Sequence, residues 1–473
     1  MSAKWGAITA AEVVASLEGE LVQGSENTRF YSFSSDSRNI KRGCLFWALQ
    51  GDKFDGHEFS SQAIEKGAAG VVVRKGFNLT VPAKRDVALI AAGDTRRALG
   101  DLSSWWRHEH QALVVAITGS AGKTTTKEMT ATILAERGST LKNRGNFNNL
   151  IGLPVTLLSM EDKHRYAVLE MGMNRPGEIG RLTEIADPEI GVITNVAKAH
   201  LEGVGTLEGV ARAKIELIER MSPFATAVLN GDDSMLMKAA FPFCRKTLSF
   251  GMGPKNDVRA EKVFNLGREG ISFDICHGGR RFGVKLKLPG LQNVHNALAA
   301  TAVALHLGLS SDEVVDGLCR VKNMKGRFVI TELPDGVILV DDTYNCNPLS
   351  LRAAMDSLKS LTLGRKVIVG LGEMFELGDE TVRAHLEAGA MVADLGADFF
   401  VALGEHANVM IQGALDKGFY AKKAVVAEDR EDMEHKIRRE MKEGVFVFLK
   451  GSRKAGLDEV AERLKSRVNE SKD

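Results

Sequence analysis

The sequence predicts an α/β protein of three domains, with mostly parallel sheets in the second and third. Three observations predict it. Apolar runs of strand length alternate with helical stretches along most of the chain, the pattern of parallel sheets covered by helices. One such run, A-L-V-V-A-I-T at residues 112–118, ends in a glycine-rich turn that opens a helix. The length of 473 residues corresponds to about three domains at roughly 150 residues each.

Residues 1–110 read as a mixed α/β domain, with strands at 44–49 and 70–73 and helices at 10–17 and 59–66. Residues 111–321 begin with the 112–118 strand and a helix at 123–137, and continue with strands at 166–170, 190–194 and 226–229. Residues 322–473 carry strands at 337–341, 366–371, 399–403, 424–427 and 445–449. Helices are expected there at 349–361, 380–393 and 457–466, which makes this segment a Rossmann-like doubly wound sheet.

Composition sets limits on function. Lys+Arg is 62 and Asp+Glu is 61, a formal net charge of +1, which gives no support to a nucleic-acid partner. The five cysteines are odd in number, far apart and without a C-x-x-C pair, so neither a disulfide framework nor a zinc site is expected, and a reducing cytoplasm fits. No apolar run approaches the roughly 18 residues of a membrane helix, and the N-terminus lacks the apolar region of a secretory signal. Many glycines (48) beside few prolines (10) fit a chain of tight strand-to-helix turns.

The strongest chemical signal is G-S-A-G-K-T-T-T at residues 119–126. Glycines let backbone amides turn towards phosphate oxygens, and the following helix N-terminus adds positive potential. Gly119, Ser120, Ala121, Gly122, Thr124 and Thr125 are therefore assigned to a nucleotide triphosphate, with Lys123 reaching its terminal phosphates and the Thr124 hydroxyl placed to ligate Mg²⁺. The loop is the shorter G-x-x-G-K-T form, since position 117 is Ile. A motor, switch, kinase or ligase would each fit this loop. Glu170, at the end of Y-A-V-L-E, is a carboxylate where an α/β site places a metal ligand. On their own, His200 reads as a hydrogen-bonded loop residue and Lys214 as a solvated helix lysine.

Together, G-S-A-G-K-T-T-T-K-E-M, N-F-N-N-L-I-G, L-E-M-G-M-N, N-V-A-K-A-H-L-E and A-K-I-E closely resemble, in order and spacing, the Mur ligase family, the ATP-dependent amide-forming enzymes of peptidoglycan precursor synthesis. The resemblance implies ATP and Mg²⁺ as cofactors, with Glu170, His200 and Thr124 on the metal. It implies that Lys214 is carbamylated, turning a cation into an anionic oxygen ligand, and that Asn148 and Asn149 lie near the nucleotide. S-D-S-R (35–38) and F-D-G-H (54–57) resemble the family's uridine-nucleotide domain. Ser35, Asp36, Ser37, Arg38, Asp55 and His57 are then candidates for a UDP-sugar, against a plain reading as polar turns. G-L-Q-N-V-H-N-A-L-A-A resembles the family's G-x-H-N-x-x-N-x-x-A-A, with Asn293 and Asn296 matching, Asn296 approaching adenine and Gln292 replacing the usual His. Arg327 would meet the γ-phosphate when the domains close. Lys127 and Glu128 read as ordinary first-turn helix residues.

In the third segment D-D-T-Y-N-C-N-P, L-G-E-M-F-E-L-G and K-G-S-R resemble the family member that adds D-alanyl-D-alanine to UDP-MurNAc-tripeptide. Asp342 and Tyr344 are expected around the nucleotide, and Asn345 and Asn347 at the interdomain site. Those two substrates are the partners expected, for a monomer with no membrane span. The alternatives are another Mur-type or folylpolyglutamate-type ligase, or a regulatory P-loop ATPase.

Overall fold

The computed structural model describes residues 5–51, 54–79, 86–199, 201–243, 246–362 and 364–466. It contains three sheets. The first is built from β1 (Glu20–Gln23), β2 (Ser32–Ser34), β3 (Cys44–Trp47), β4 (Gly70–Arg74) and β5 (Ala88–Ala92), in the order β1-β5-β4-β3-β2, with only β1 antiparallel. Its central strands are buried on both faces, as a covered parallel sheet requires.

The second sheet has nine strands: β6 (Leu113–Thr118), β7 (Thr140–Lys142), β8 (Tyr166–Glu170), β9 (Ile190–Ile193), β10 (Thr226–Asn230), β11 (Thr247–Gly251), β12 (Val258–Asn265), β13 (Ile271–His277) and β14 (Arg280–Leu286). Their order is β14-β13-β12-β11-β10-β9-β6-β8-β7. From β7 to β12 the neighbours are parallel, and β12 to β14 form an antiparallel meander. That meander, β7 and β11 were not expected from the sequence. The meander strand β13, I-S-F-D-I-C-H, alternates buried and half-buried side chains along most of its length. A search for continuous apolar runs passes over such a pattern.

The third sheet comprises β15 (Val329–Glu332), β16 (Ile338–Asp342), β17 (Val367–Gly372), β18 (Phe399–Leu403), β19 (Ala424–Ala427) and β20 (Phe446–Lys450), ordered β15-β16-β20-β17-β18-β19, with only β15 antiparallel. The expected helices appear at Pro348–Thr362, Thr381–Leu395 and Leu457–Ser466. Two more, Ala407–Asp416 and Arg430–Glu440, complete the covering layers. The second of these is so charged (R-E-D-M-E-H-K-I-R-R-E) that only Met433, Glu434 and Ile437 are buried.

The first two sheets share a core. One apolar cluster runs from Phe30, Trp47 and Ile90 through Leu99, Leu102 and Trp106 of the helix Thr95–His108 into Val114, Leu169 and Ile193. Trp106 is 1% exposed, stacks on Trp5 at 4.7 Å and donates its indole N–H to the Met160 carbonyl at 3.2 Å. Truncating so large a buried side chain costs about 3–5 kcal/mol. The N-terminal sheet is thereby fixed to the central one, while the third sheet keeps its own two cores.

Candidate active site

The C-terminal ends of β6, β8, β9 and β10 gather the candidate site, where an open α/β sheet places ligands. After β6 the chain turns at Gly119 (φ +148) and Gly122 (φ +82) into the helix Lys123–Leu134. Both glycines are required by close approach. A Cβ on Gly119 would lie 1.9 Å from Thr194 Oγ1, and one on Gly122 would lie 2.3 Å from Asn296 Oδ1. The strand end after β9 shapes the loop. Thr194 Oγ1 donates to the Ala121 carbonyl at 2.6 Å, and Ser120 Oγ donates to the Ala197 carbonyl at 2.9 Å. The amides of Ser120 and Ala121 donate to Asn195, at 3.1 Å to its carbonyl and 2.9 Å to Oδ1. These two amides were expected to face phosphate. Here Asn195 takes them, and the first-turn amides of the helix, which have no intrahelical acceptor, are the ones left for an anion. Thr125 is buried beneath them.

Lys123 folds back to donate to the Gly119 carbonyl at 2.7 Å. Desolvation pushes its ammonium below the ordinary value, opposed by Glu170 and reinforced by Arg327. Glu170 is 3% exposed. One carboxylate oxygen accepts from Thr124 Oγ1 at 2.7 Å and the other from Asn148 Nδ2 at 2.9 Å. Asn149 is differently used: its Oδ1 accepts the Ile151 and Gly152 amides in the turn that leads into the helix Gly152–Leu157. Lys214, on the helix Leu207–Arg220, is 1% exposed. Burial first, then the like charge of Lys123, pushes it well below the usual lysine value. The solvated lysine expected of an isolated helix position is therefore not what the fold provides. His200 lies outside the described residues.

Lys127, read from the sequence as an ordinary helix residue, and Asn143, which that reading did not single out, support Glu170. Lys127 is 1% exposed and donates to the Asn143 carbonyl at 2.7 Å, with Glu128 at 3.2 Å and Glu170 at 3.9 Å. Asn143 in turn brackets the Glu170 backbone, accepting its N–H and donating to its C=O, both at 2.9 Å. Lys127 is thus no ordinary first-turn residue. The signal was present in K-E at 127–128 opposite K-N at 142–143, but nothing in the linear order brings these pairs together.

Arg327 arrives from the segment between the central and third sheets. Gly326 (φ +68) and Phe328 (φ +53) flank it in left-handed conformations. The turn is pinned by the Tyr344 amide on the Gly326 carbonyl at 2.9 Å and by the Phe328 amide on Asp342 Oδ1 at 3.1 Å. The guanidinium packs 4.3 Å from the Tyr344 ring centroid and donates from Nη2 to Thr124 Oγ1 at 2.7 Å. Asn347 Nδ2 donates to the Ser120 carbonyl at 3.3 Å, so it too reaches the loop. Asn345 is exposed, and its carbonyl accepts from Lys450. Asp342 does not present a free carboxylate to a ribose: Lys450 Nζ sits on Oδ2 at 2.5 Å, and the Phe328 amide sits on Oδ1. Asn296 is buried, accepts from Thr126 Oγ1 at 3.3 Å and donates to Asn293 Oδ1 at 3.2 Å. Gln292, which replaces the usual His, accepts through Oε1 from Ser357 of the third domain at 3.2 Å.

The uridine candidates divide. In S-D-S-R the Asp36 carboxylate is taken by the Arg38 amide and guanidinium and by Asn39. The Arg38 bond holds it down at about 2. Ser37 is buried, its carbonyl bonded by Lys66 at 2.8 Å, and Ser35 and Arg38 face solvent. His57 is 2% exposed. Its Nδ1–H donates to Asp55 at 2.5 Å, and its Nε2 accepts the Arg74 amide at 3.0 Å. Both ring nitrogens are occupied, so His57 and Asp55 brace β4 in this structure.

A glycine-bent loop at a helix N-terminus, a buried carboxylate on its hydroxyl and an arginine closing from another sheet define a P-loop-type nucleotide-binding α/β enzyme. Three family models match: the Mur ligase family catalytic domain over residues 29–106, the Mur ligase middle domain over 117–304 and the Mur ligase glutamate ligase domain over 326–453. The UDP-N-acetylmuramoyl-tripeptide–D-alanyl-D-alanine ligase of Escherichia coli (strain K12) is 34% identical, covering 97% of this chain and 98% of its own. That of Bacillus subtilis (strain 168) is 33% identical over 94% and 96%. Among solved structures, MurF from Acinetobacter baumannii superposes with a TM-score of 0.87 at 32% identity, over 97% and 98% of the two chains. MurF from Thermotoga maritima in complex with ADP gives 0.81 at 29%, over 94% and 99%. The chain belongs to the Mur ligase family.

Proposed function

We propose that this protein is an ATP-dependent ligase that joins D-alanyl-D-alanine to UDP-MurNAc-tripeptide through an acyl phosphate, giving UDP-MurNAc-pentapeptide in the cytoplasm. The observation that carries this reading is the Thr124 hydroxyl, held at 2.7 Å by Glu170 on one side and by Arg327 on the other. A phosphate loop joined to a third-domain cation is the arrangement needed to draw a carboxylate and ATP together, two anions that repel each other.

The donor set suits Mg²⁺: the oxygens of Thr124 and Glu170 are hard ligands, and Lys214, buried and close enough to Lys123 to feel its charge, would offer a third if carbamylated. His200 is assigned with them by resemblance. Bound there, Mg²⁺ would screen the phosphate charge. Lys123 and Arg327 neutralise the γ-phosphate from two domains, so transfer depends on the third domain seating against the loop. That seating also shields the acyl phosphate from water. Asn296, beside the loop, is assigned to adenine, and Ser35 and Arg38 remain solvent-facing candidates for the uridine nucleotide.

The deciding experiment is an amine panel with UDP-MurNAc-tripeptide and ATP, read by mass spectrometry of the uridine-linked product. Product and ADP release dependent on D-alanyl-D-alanine are expected. Dependence on free lysine or diaminopimelate would assign a different Mur-type reaction, and ATP turnover with no uridine-linked product would sink the ligase reading.

A further inference from the structure

The third domain meets the central one at a second place besides Arg327. The turn after β17, residues 374–380, seats on the chain that follows β9. The Glu202 amide donates to the Glu376 carbonyl at 3.3 Å, and Lys198 pairs with Glu380 at 3.2 Å. Gly378 (φ +54) lies so close that a Cβ there would stand 3.6 Å from the Glu202 amide nitrogen. Lys198 and Glu202 flank His200 in sequence, the histidine assigned to Mg²⁺ by resemblance. Ala197, just before them, exchanges hydrogen bonds with the Ser120 hydroxyl of the phosphate loop, both at 2.9 Å. The turn thus bears on a segment that is itself bonded to the loop.

Charge alone does not hold this seat. Lys198 and Glu380 are both partly exposed, and Glu380 is shared with Arg383, so the pair contributes little. The shape of the turn matters more. Glu376 takes a left-handed conformation at φ +67, which a residue with a side chain keeps only where its surroundings impose it. Two buried side chains supply that constraint. Ser452 Oγ accepts the Phe375 amide at 3.1 Å and donates to the Cys346 carbonyl at 3.2 Å. His385, fully buried on the helix Thr381–Leu395, accepts the Met374 amide on Nε2 at 3.0 Å. Its Nδ1–H donates to the Thr381 carbonyl at 2.7 Å.

The two anchors differ in kind. A serine hydroxyl accepts at any ordinary pH, whereas Nε2 accepts only while the ring is neutral. A proton there would set an N–H against the Met374 N–H. The charged and titratable groups around the ring are few. His406 stacks on it at 4.8 Å, and Glu373 lies beyond, bonded to His406 Nδ1 at 2.6 Å. The neighbouring helices Pro348–Thr362 and Ala407–Asp416 bury no charged residue. Burial first, then His406, pushes His385 below the ordinary histidine value, against the Thr381 carbonyl and Glu373. Glu373, His385 and His406 have ligand atoms within 4.8 Å of one another, but both nitrogens of His385 are already used, so the ring serves the turn rather than a metal.

We propose that His385 is a positioning residue for ligation: its neutral ring holds the 374–380 turn against the chain on both sides of His200, and a proton on Nε2 releases that seat. The proposal rests on the ligase reading above. In the released turn the histidine is solvated and takes up a proton below about 6.5. Below that pH the released form binds more protons than the seated one, so acid favours release.

Hydrogen exchange of the full chain reads the turn without any substrate. In wild type, protection of peptides spanning residues 373–380, corrected for the intrinsic rate, should fall about tenfold between pH 7 and pH 5. His385→Gln puts an amide oxygen near the place of Nε2 and does not titrate, so its protection there should not fall. The helix Leu457–Ser466 should stay protected in both proteins, which shows that the fold is intact. Ligation should follow the turn. At pH 7 kcat should drop about 10–100-fold in His385→Leu, the usual effect of losing a group that orients a metal ligand, whereas His385→Gln should keep most of the wild-type rate and carry it to lower pH. The comparison of wild type with His385→Gln stands even if the Leu variant does not fold. No acid loss of protection in wild type, the same loss in His385→Gln, or equal loss of kcat in the Gln and Leu variants overturns the proposal. Failure of the wild-type protein to use D-alanyl-D-alanine would instead overturn the ligase reading, with the exchange result untouched.

Discussion

Arg327 donates to Thr124 Oγ1 at 2.7 Å across 203 positions of sequence, and that hydroxyl passes its own hydrogen to Glu170 at 2.7 Å. A single hydroxyl thus links a third-domain cation to a buried carboxylate through the first helical turn of the phosphate loop. The sequence led us to expect Arg327 to arrive only on domain closure. In this structure the third domain is already seated on the loop through Arg327 and Asn347.

Replacing Arg327 with Ala should therefore lower kcat by about 10²–10³, the usual effect of removing one donor aimed at transition-state charge, with ATP affinity changed much less. Lys should not restore it, because the planar guanidinium both bonds Thr124 and stacks on Tyr344. Steady-state kinetics with calorimetric nucleotide binding checks this. An unchanged kcat would remove Arg327 from the phosphate site.

Lys127→Met should destabilise the protein and weaken ligation together. Its loss strips the Asn143 carbonyl of a buried donor at 2.7 Å, a cost of about 1–3 kcal/mol, and loosens the Asn143 bracket around Glu170. A lower urea midpoint with reduced kcat is expected. Full stability and activity in this variant would return Lys127 to the role of a plain helix residue.

Gly122→Ala should abolish tight ADP binding. The new methyl would fall 2.3 Å from Asn296 Oδ1, at a backbone φ of +82. Adding Asn296→Ala should relieve the clash but not the backbone strain, so the double variant should regain part of its stability towards urea, a non-additivity characteristic of touching residues. Strictly additive losses would mean that the loop has moved away from the helix Leu291–His306.

How much of this was legible beforehand follows from how local each signal is. The loop, β8 and Glu170 were readable because strand, turn and helix stand in consecutive order. So were the helix Leu457–Ser466 and the strands Phe399–Leu403 and Ala424–Ala427, whose bounds are those expected. The meander β12 to β14 was missed because its apolar residues alternate. The bonding of His57 and Asp36 was not legible for a different reason: what a polar group bonds depends on distant chain, and the Arg74 amide that occupies His57 Nε2 is 17 positions away. Asn195 and Lys127 stand inside the quoted motifs and Asn143 outside them, but their bonding partners were not legible, because only the parallel pairing of β6 with β8 and β9 brings those segments together.

Lys214 offers the sharpest separation of stability from function. Desolvation lowers its value in the folded state, while the unfolded chain keeps roughly 10.4. Between those two values the unfolded state binds more protons, so this residue's contribution to stability rises with pH through that window and is at its least favourable below the folded value. At neutral pH, in CO₂-free buffer, Lys214→Met should therefore be more stable to urea than the unmodified wild type. The same burial favours the uncharged amine, the form whose lone pair adds to the carbon of CO₂ and then sheds a proton to give an anionic carbamate. Wild type equilibrated with ¹³C-labelled CO₂ should show a carbamate carbon resonance that Lys214→Met lacks. Ligation by Lys214→Ala should be lost and partly restored by a short-chain carboxylic acid in the vacated space. A carbamate signal that persists in the variants, or full activity without added acid, would place the modification and the third anionic ligand elsewhere.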